Sequence, residues 1–173
     1  MMLARRFVVA AVVAAIAAVA AALPVAARRD GTTLVPVLSA TRWLNGRATA
    51  SSVRGRVVLV DVFTVDCENC RNVVPALRQL FARDRARGLT IVGVHAPETP
   101  PERQLDYVEA SLARQGIVWP VAVDDDFSIW NAYGVTAWPT QLFFDRQGRL
   151  RKAIVGDSQD DAVRATVESL LSE

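Results

Sequence analysis

Val57-Val58-Leu59-Val60-Asp61-Val62-Phe63 is a nearly unbroken apolar, β-branched run entered from Gly55. A strand with one wet face alternates polar and apolar residues, so a run without alternation reads as a strand buried on both faces, as in a parallel sheet. Such a strand needs a layer above it and a layer below it, which places the chain in the α/β class. Asp61 is the anomaly inside the run.

The segments that follow supply those layers. From Cys70 to Arg87 the apolar positions Val73, Leu77, Leu80 and Phe81 recur at helical spacing, Gly88 follows as a C-terminal cap, and Pro75 is expected to kink the helix. Thr90-Ile91-Val92-Gly93-Val94-His95 is a second strand, completing a β-α-β unit expected to be right-handed and parallel. Thr99-Pro100-Pro101-Glu102 reads as a capping box opening a helix with Leu105, Val108 and Leu112 on its apolar face, ended by Gly116. Ile117 to Val123 is a third strand, and Phe127 to Tyr133 a short helix ended by Gly134. Gln141-Leu142-Phe143-Phe144 and Leu150 to Val155 flank Asp145-Arg146-Gln147-Gly148 and are expected to pair as an antiparallel hairpin. Ser158-x-x-Asp161 opens a closing helix with Val163, Val167, Leu170 and Leu171 on one face. Residues Asp30 to Arg56 read as a linker and an irregular or short-stranded lead-in.

Composition narrows the function classes. The 173 residues carry 20 Lys and Arg against 18 Asp and Glu, and four of the basic residues (Arg5, Arg6, Arg28, Arg29) precede Asp30, leaving 16 against 18 from there onward. A body that is slightly acidic and has no basic stripe does not suit a nucleic-acid binder. Two cysteines exclude a disulfide-stapled small fold and a four-Cys zinc site, and a single histidine, His95, excludes a His-rich metal cage.

Met1 to Arg6 is short and basic, and Phe7 to Ala27 is an uncharged run interrupted only by Pro24, which marks residues 1–29 as a targeting segment. Two readings stand. Val25-Ala26-Ala27 before Arg28 suits a cleaved export signal, whereas the length of the run suits a retained membrane anchor. Both put residues 30–173, a single expected domain, outside the cytoplasm.

The chemistry lies in Cys67-Glu68-Asn69-Cys70, directly after the first strand and at the start of the helix. A helix N-terminus stabilises a thiolate through its free N–H groups and dipole, which suits the first cysteine of such a pair to be a nucleophile. The second, one turn later, is close enough to resolve a mixed disulfide. A bare CxxC also serves as half a zinc site, but the other half is absent; a static bridge of this span would close too small a loop to remove much chain entropy.

Strand-Cys67-x-x-Cys70-helix, Asp61 six residues before Cys67, Pro75 five after Cys70 and Trp138-Pro139-Thr140 before a hairpin strand together resemble the thioredoxin superfamily. Within it, Val57 to Gly156 is similar to extracytoplasmic TlpA/ResA-type thiol-disulfide oxidoreductases. It most resembles the thioredoxin-like domain of DipZ-type electron transporters, through Gly93-Val94-His95-Ala96-Pro97-Glu98 and Trp130-Asn131-Ala132-Tyr133-Gly134. The resemblance implies a thioredoxin-like three-layer sandwich with a mixed central sheet and an inserted helix and strand between Thr99 and Val123. It assigns Cys67 as the attacking thiol, Cys70 as the resolving thiol, Pro139 as a cis-proline facing the substrate chain, and Asp61 as the buried carboxylate that takes the resolving cysteine's proton. Trp138, before Pro139, is placed to shield the disulfide. The redox pair itself is the only cofactor implied, with no metal; the partners are protein disulfides and a membrane electron donor of the CcdA/DipZ type, and the chain is expected to be a monomer.

Two departures bear on direction. Asp66 precedes Cys67 where thioredoxins carry Trp, and Glu68-Asn69 replaces Gly-Pro; acids beside a nucleophile disfavour its thiolate and move a couple toward the reducing end. Val73 stands where TlpA/ResA-like proteins often carry Glu. The expected activity is therefore reduction of protein disulfides. Two alternatives compete with it: a peroxidase, because Thr64-x-x-Cys67 echoes the peroxiredoxin Thr-x-x-Cys, and a Cu(I)-carrying module built from Cys67, Cys70 and His95. His95 reads either as part of the site at a strand end or as a structural histidine. Trp119, Trp130 and Trp138 all read equally as core aromatics.

Overall fold

A computed structural model describes residues 33–173; the targeting segment expected over residues 1–29 lies outside them. Among the described residues no helix is long and apolar enough to cross a membrane. Six strands, β1 (Trp43–Leu44), β2 (Val57–Phe63), β3 (Leu89–His95), β4 (Val121–Val123), β5 (Thr140–Phe144) and β6 (Leu150–Val155), form one sheet in the order β1-β4-β3-β2-β5-β6. The expected parallel β2–β3 pair forms, β3–β4 is parallel as well, β5 runs antiparallel to both β2 and β6, and β1 pairs antiparallel with β4. The sheet is therefore mixed. All seven residues of β2 are buried, because it lies between β3 and β5 with helices on both faces.

The helices are α1 (Val35–Leu38), α2 (Ala50–Val53), α3 (Glu68–Asp84), α4 (Leu105–Gln115), α5 (Ser128–Tyr133) and α6 (Asp160–Ser172). Alternation along the strands sorts the core into two. Val57, Leu59 and Phe63 of β2 pack with buried residues of α3, α4 and α6, whereas Val58, Val60 and Val62 pack on the other face with Val37 of α1 and Ile129 of α5. Moving from β2 to β3 to β4 in one direction with right-handed crossovers puts α3 and α4 on the same side of the sheet, as observed. Asp61, one alternation step from Leu59 and Phe63, thus belongs to the α3 face.

Several local expectations shift. The long helix begins at Glu68, earlier than Cys70, and ends at Asp84 in a 3-10 turn over Arg85–Arg87 before Gly88 takes φ 110°; Pro75 lies inside it without ending it. The Thr99–Glu102 capping box is formed, but it caps a separate 3-10 turn over Pro100–Arg103. Gln104 is extended (φ −88°, ψ 113°), so α4 starts anew at Leu105. The third strand is only Val121–Val123. Ile117 and Trp119 turn into the core instead, and Pro120, which has no N–H for a ladder, uses its carbonyl to accept from Gly93 N at 2.8 Å. Ser158 is not the cap of α6: it sits at φ 60°, outside the extended region a capping residue needs, and the helix opens at Asp160 with two acids facing its positive end.

Gly93 has a packing reason to be glycine. A Cβ there would lie 2.9 Å from Val121 Cγ2 and 3.0 Å from Phe63 Cε1, on the same face of the sheet as Asp61.

Candidate active site

β2 ends at Phe63, and the chain turns through Thr64, Val65 and Asp66 to deliver Cys67 immediately before α3. Cys67 keeps an extended backbone (φ −67°, ψ 123°), which leaves its side chain free to fold back over the first turn: its Sγ accepts the Cys70 N–H at 3.2 Å. One donor of the open helix end is satisfied by sulfur in this way. Cys67 is half-buried while Cys70 is 2% exposed, and both are free thiols. Burial first, then the hydrogen bond with the Cys67 side chain, hold the Cys70 thiol far above the ordinary cysteine range. The pair is thus asymmetric, with one sulfur accessible and one sheltered and firmly protonated.

Asp61 lies in the middle of β2, flanked in register by Gly93 on β3 and Gln141 on β5. Its side chain is 1% exposed, and burial pushes its carboxyl up to about 7, against the opposing hydrogen bond from Gln141. That bond runs from Gln141 Nε2 to Asp61 Oδ1 at 3.2 Å. The Asp61 charge also raises the Cys70 thiol, so the two groups sense one another across the α3–sheet interface. Gln141 went unread as a site residue in the sequence; the available signal was an amide inside the otherwise apolar run Gln141-Leu142-Phe143-Phe144.

The Trp138–Pro139 peptide is cis, the geometry the resemblance implied. Thr140 pairs with Val62, so Pro139 stands beside the end of β2 from which the chain runs to Cys67. The Pro139 carbonyl accepts from Gly156 N at 2.8 Å, and the neighbouring Val155 is half exposed, giving this edge an apolar surface. Trp138 is partly buried against the same core cluster as Cys67, and its ring lies 4.5 Å from that of Trp130. Trp119 is an ordinary core aromatic, 1% exposed.

Glu102 is a second carboxylate of consequence, read in the sequence only as half of a capping box. It is 1% exposed and serves two segments at once. Oε1 accepts from the Thr64 hydroxyl and from Asp66 N at 3.0 Å; Oε2 accepts from Glu98 N at 2.9 Å, Thr99 N at 2.8 Å and Thr99 Oγ1 at 3.1 Å. These donors outweigh burial and hold its carboxyl below the usual range. The inserted segment after β3 is thereby tied to the turn that presents Cys67. The two acids next to the nucleophile, Asp66 and Glu68, are exposed, and Asp66 accepts from the Tyr107 hydroxyl at 2.8 Å.

His95 is fully buried at the end of β3, edge-on to Phe63 with ring centroids 5.8 Å apart, and burial lowers its pKa. Neither ring nitrogen has a hydrogen-bond partner. Among the described residues no three of His, Cys, Asp or Glu are grouped to hold a metal ion, so Cys67, Cys70 and His95 do not converge. Val73 is a core residue of α3.

The chain is similar to known proteins. The sequence profile of the Redoxin family matches residues 31–171. Protein DipZ of Mycobacterium tuberculosis is 29% identical over 153 residues, covering 86% of this chain and 22% of DipZ. The thiol-disulfide oxidoreductase YkuV of Bacillus subtilis is 26% identical over 133 residues, covering 76% of this chain and 88% of YkuV. Among solved structures, a thiol-disulfide isomerase from Corynebacterium glutamicum superposes with a TM-score of 0.71 at 28% identity, over 79% of this chain and 94% of that one. The chain spans about a fifth or less of the length of the first curated relatives it matches. With a mixed sheet, a helix-start cysteine pair and a family match over nearly all the described residues, the chain belongs to the Redoxin family, among its thioredoxin-like thiol-disulfide oxidoreductases.

Proposed function

We propose that this protein is an extracytoplasmic reductase of protein disulfides that works through Cys67 and Cys70. The observation that carries this reading is the asymmetry of the pair over a buried acid: Cys67 is accessible at a helix start, and Cys70 is sheltered and protonated with Asp61 in electrostatic contact. The Cys67 thiolate attacks one sulfur of a substrate disulfide, forming a mixed disulfide and releasing the other sulfur as a thiolate. Cys70 gives its proton to Asp61 and attacks Cys67 Sγ, which expels the second substrate sulfur and leaves a Cys67–Cys70 disulfide. The substrate gains two electrons and the protein loses two. A carboxyl titrating near 7 suits this step, since it is partly ionised to accept the proton and gives it up again afterwards. Pro139, with the exposed Val155 beside it, offers the substrate chain an edge near the nucleophile, and Trp138, packed against the same core cluster as Cys67, is the residue assigned to shield the pair.

The reducing direction rests on the sequence around Cys67, where Asp66 and Glu68 supply none of the positive charge with which a strongly oxidising couple stabilises its reduced form. The placement outside the cytoplasm rests on residues 1–29 and on the family resemblance, and a membrane donor of the CcdA/DipZ type would return the two electrons. A peroxidase reading is disfavoured because the Thr64 hydroxyl is buried and donates to Glu102 rather than facing a substrate. A Cu(I) module is disfavoured because His95 does not join the cysteines.

The test is the redox potential of the Cys67/Cys70 couple in the purified protein, equilibrated against glutathione or dithiothreitol. A value near the ~−270 mV of thioredoxin is expected. A value near the ~−120 mV of DsbA would reverse the direction of electron flow.

A further inference from the structure

Gln141 is the one polar neighbour that the sheet register gives Asp61. It is 1% exposed, lies opposite Asp61 on the antiparallel β2–β5 pair, and donates through Nε2 to Asp61 Oδ1 at 3.2 Å. Its Oε1 is buried and has no partner. A buried amide oxygen without a donor is rare in a folded chain, and this one is open to a neighbouring group that can donate a proton. The adjacent group able to do so is Asp61 once protonated, since a carboxylic acid is a donor where a carboxylate is only an acceptor. An amide is suited to face such a group because it carries both a donor and an acceptor. The other surroundings contribute little of this kind: β3 brings Gly93, the buried residues of α6 (Val163, Val167 and Leu170) are apolar, and the titratable groups at the start of α3 are Cys70 and, just before the helix, Cys67.

We infer that Gln141 is a positioning residue for the resolving step, holding the Asp61 carboxyl in both of its protonation states, with Nε2 donating to the carboxylate and Oε1 accepting from the acid. It touches neither sulfur and acts only through Asp61. The proposal rests on the reading of Asp61 as the acceptor of the Cys70 proton, and adds to it a residue that sets the pH at which that acceptance occurs. No electrons pass through Gln141; the proton that leaves Cys70 goes to Asp61, where it is shared with the amide oxygen until Asp61 gives it up again.

The resolving step can be isolated with 5,5′-dithiobis(2-nitrobenzoate). Reduced protein releases one thionitrobenzoate when Cys67 attacks the reagent and a second when Cys70 displaces the one held at Cys67. The pH dependence of the second release reports the group that takes the Cys70 proton. In the unaltered protein this rate should rise through a midpoint near 7, and in Asp61→Asn that titration should be absent. Gln141→Met fills the same space without hydrogen-bonding groups, so the fold is retained while the donor to the carboxylate is lost. The lost bond to the charged carboxylate outweighs the lost bond to the neutral acid, because charge-assisted hydrogen bonds are the stronger, so the midpoint of this variant should move up by about one pH unit, with the rate at pH 7 falling about fivefold. Gln141→Glu places two carboxyls together, and its profile should split into two steps because the pair shares one proton.

If Asp61→Asn abolishes the titration but Gln141→Met and Gln141→Glu both follow the unaltered profile, the positioning role is wrong while the Asp61 reading stands. If the titration survives in Asp61→Asn, the Asp61 reading itself falls and the role of Gln141 falls with it.

Discussion

Cys67 and Cys70 are three residues apart and chemically identical, yet one is half-buried and the other sealed. The difference comes from their positions about a helix start: Cys67 precedes the first turn and keeps an extended backbone, whereas Cys70 lies one turn in, on the face of α3 that packs on the sheet. Replacing the buried sulfur with oxygen should leave the first half of the exchange intact and remove the second. Cys70→Ser is expected to accumulate a mixed disulfide at Cys67 and to lose turnover, visible as a thiol-sensitive mass increase on non-reducing analysis. Accumulation of the same adduct in Cys67→Ser would instead assign the attack to Cys70. At this scale the placement of Cys67 and Cys70 at a helix start was legible from local pattern, and the cis peptide before Pro139 and the buried Asp61 were expected from the family resemblance. Gln141 and Glu102 were not legible as site residues, since each matters through partners up to 80 residues away, as in the bond from Gln141 to Asp61.

Among the elements, the inserted segment between β3 and β4 does more than extend the sheet. Its 3-10 turn places Glu102 to gather donors from the Cys67 turn and from its own start, so the geometry of the nucleophile depends on a segment more than thirty residues downstream. Glu102→Ala leaves the Thr64 hydroxyl and the Asp66, Glu98 and Thr99 amides without this acceptor. Only the Thr64 hydroxyl among these is fully buried, while Asp66 and Glu98 lie at the surface where water can replace the carboxylate, so a loss of about 1–3 kcal/mol is expected in urea unfolding. An unchanged unfolding midpoint would show that water replaces the carboxylate at no cost. Gly93→Ala tests the packing beside Asp61. Its Cβ would meet Val121 and Phe63 at or below 3.0 Å, and overpacking of this kind costs about 1–3 kcal/mol. The sequence announced the capping box and the glycine but not their purpose. It also overextended the third strand and α4, because Pro120 and Gln104 break elements whose apolar pattern continues past them.

At the scale of the whole molecule, the buried acid makes stability depend on pH in an unusual sense. The Asp61 carboxyl titrates at about 7 when folded against 3.8 as its ordinary value, so the folded state holds this proton more tightly than the unfolded state. Below about pH 4 the group is protonated in both states and costs nothing; between 4 and 7 only the unfolded chain ionises it, and stability falls; above 7 the full cost of about 4 kcal/mol persists. Asp61→Asn is therefore expected to exceed the unaltered protein in thermal stability at pH 8 and to approach it at pH 4. Equal stabilities at pH 8 would mean that the carboxylate is not penalised by burial. His95 acts in the opposite sense, since its lowered pKa withdraws stability as pH falls below 6.5, but it is common to both proteins and cancels in the comparison. By itself, the sequence determined the need for a covered central strand, the cysteine pair at a helix start and the order of strands and helices from β2 onward, though not the short helices α1 and α2 before it. These follow from periodicity, caps and turn residues, which act between neighbours in the chain. The tertiary structure alone decided the strand order, the seating of Asp61 between Gly93 and Gln141, the double duty of Glu102 and the isolation of His95 from the cysteines. Those depend on register and packing between segments far apart in sequence, where no local preference of a residue says which partner it will meet.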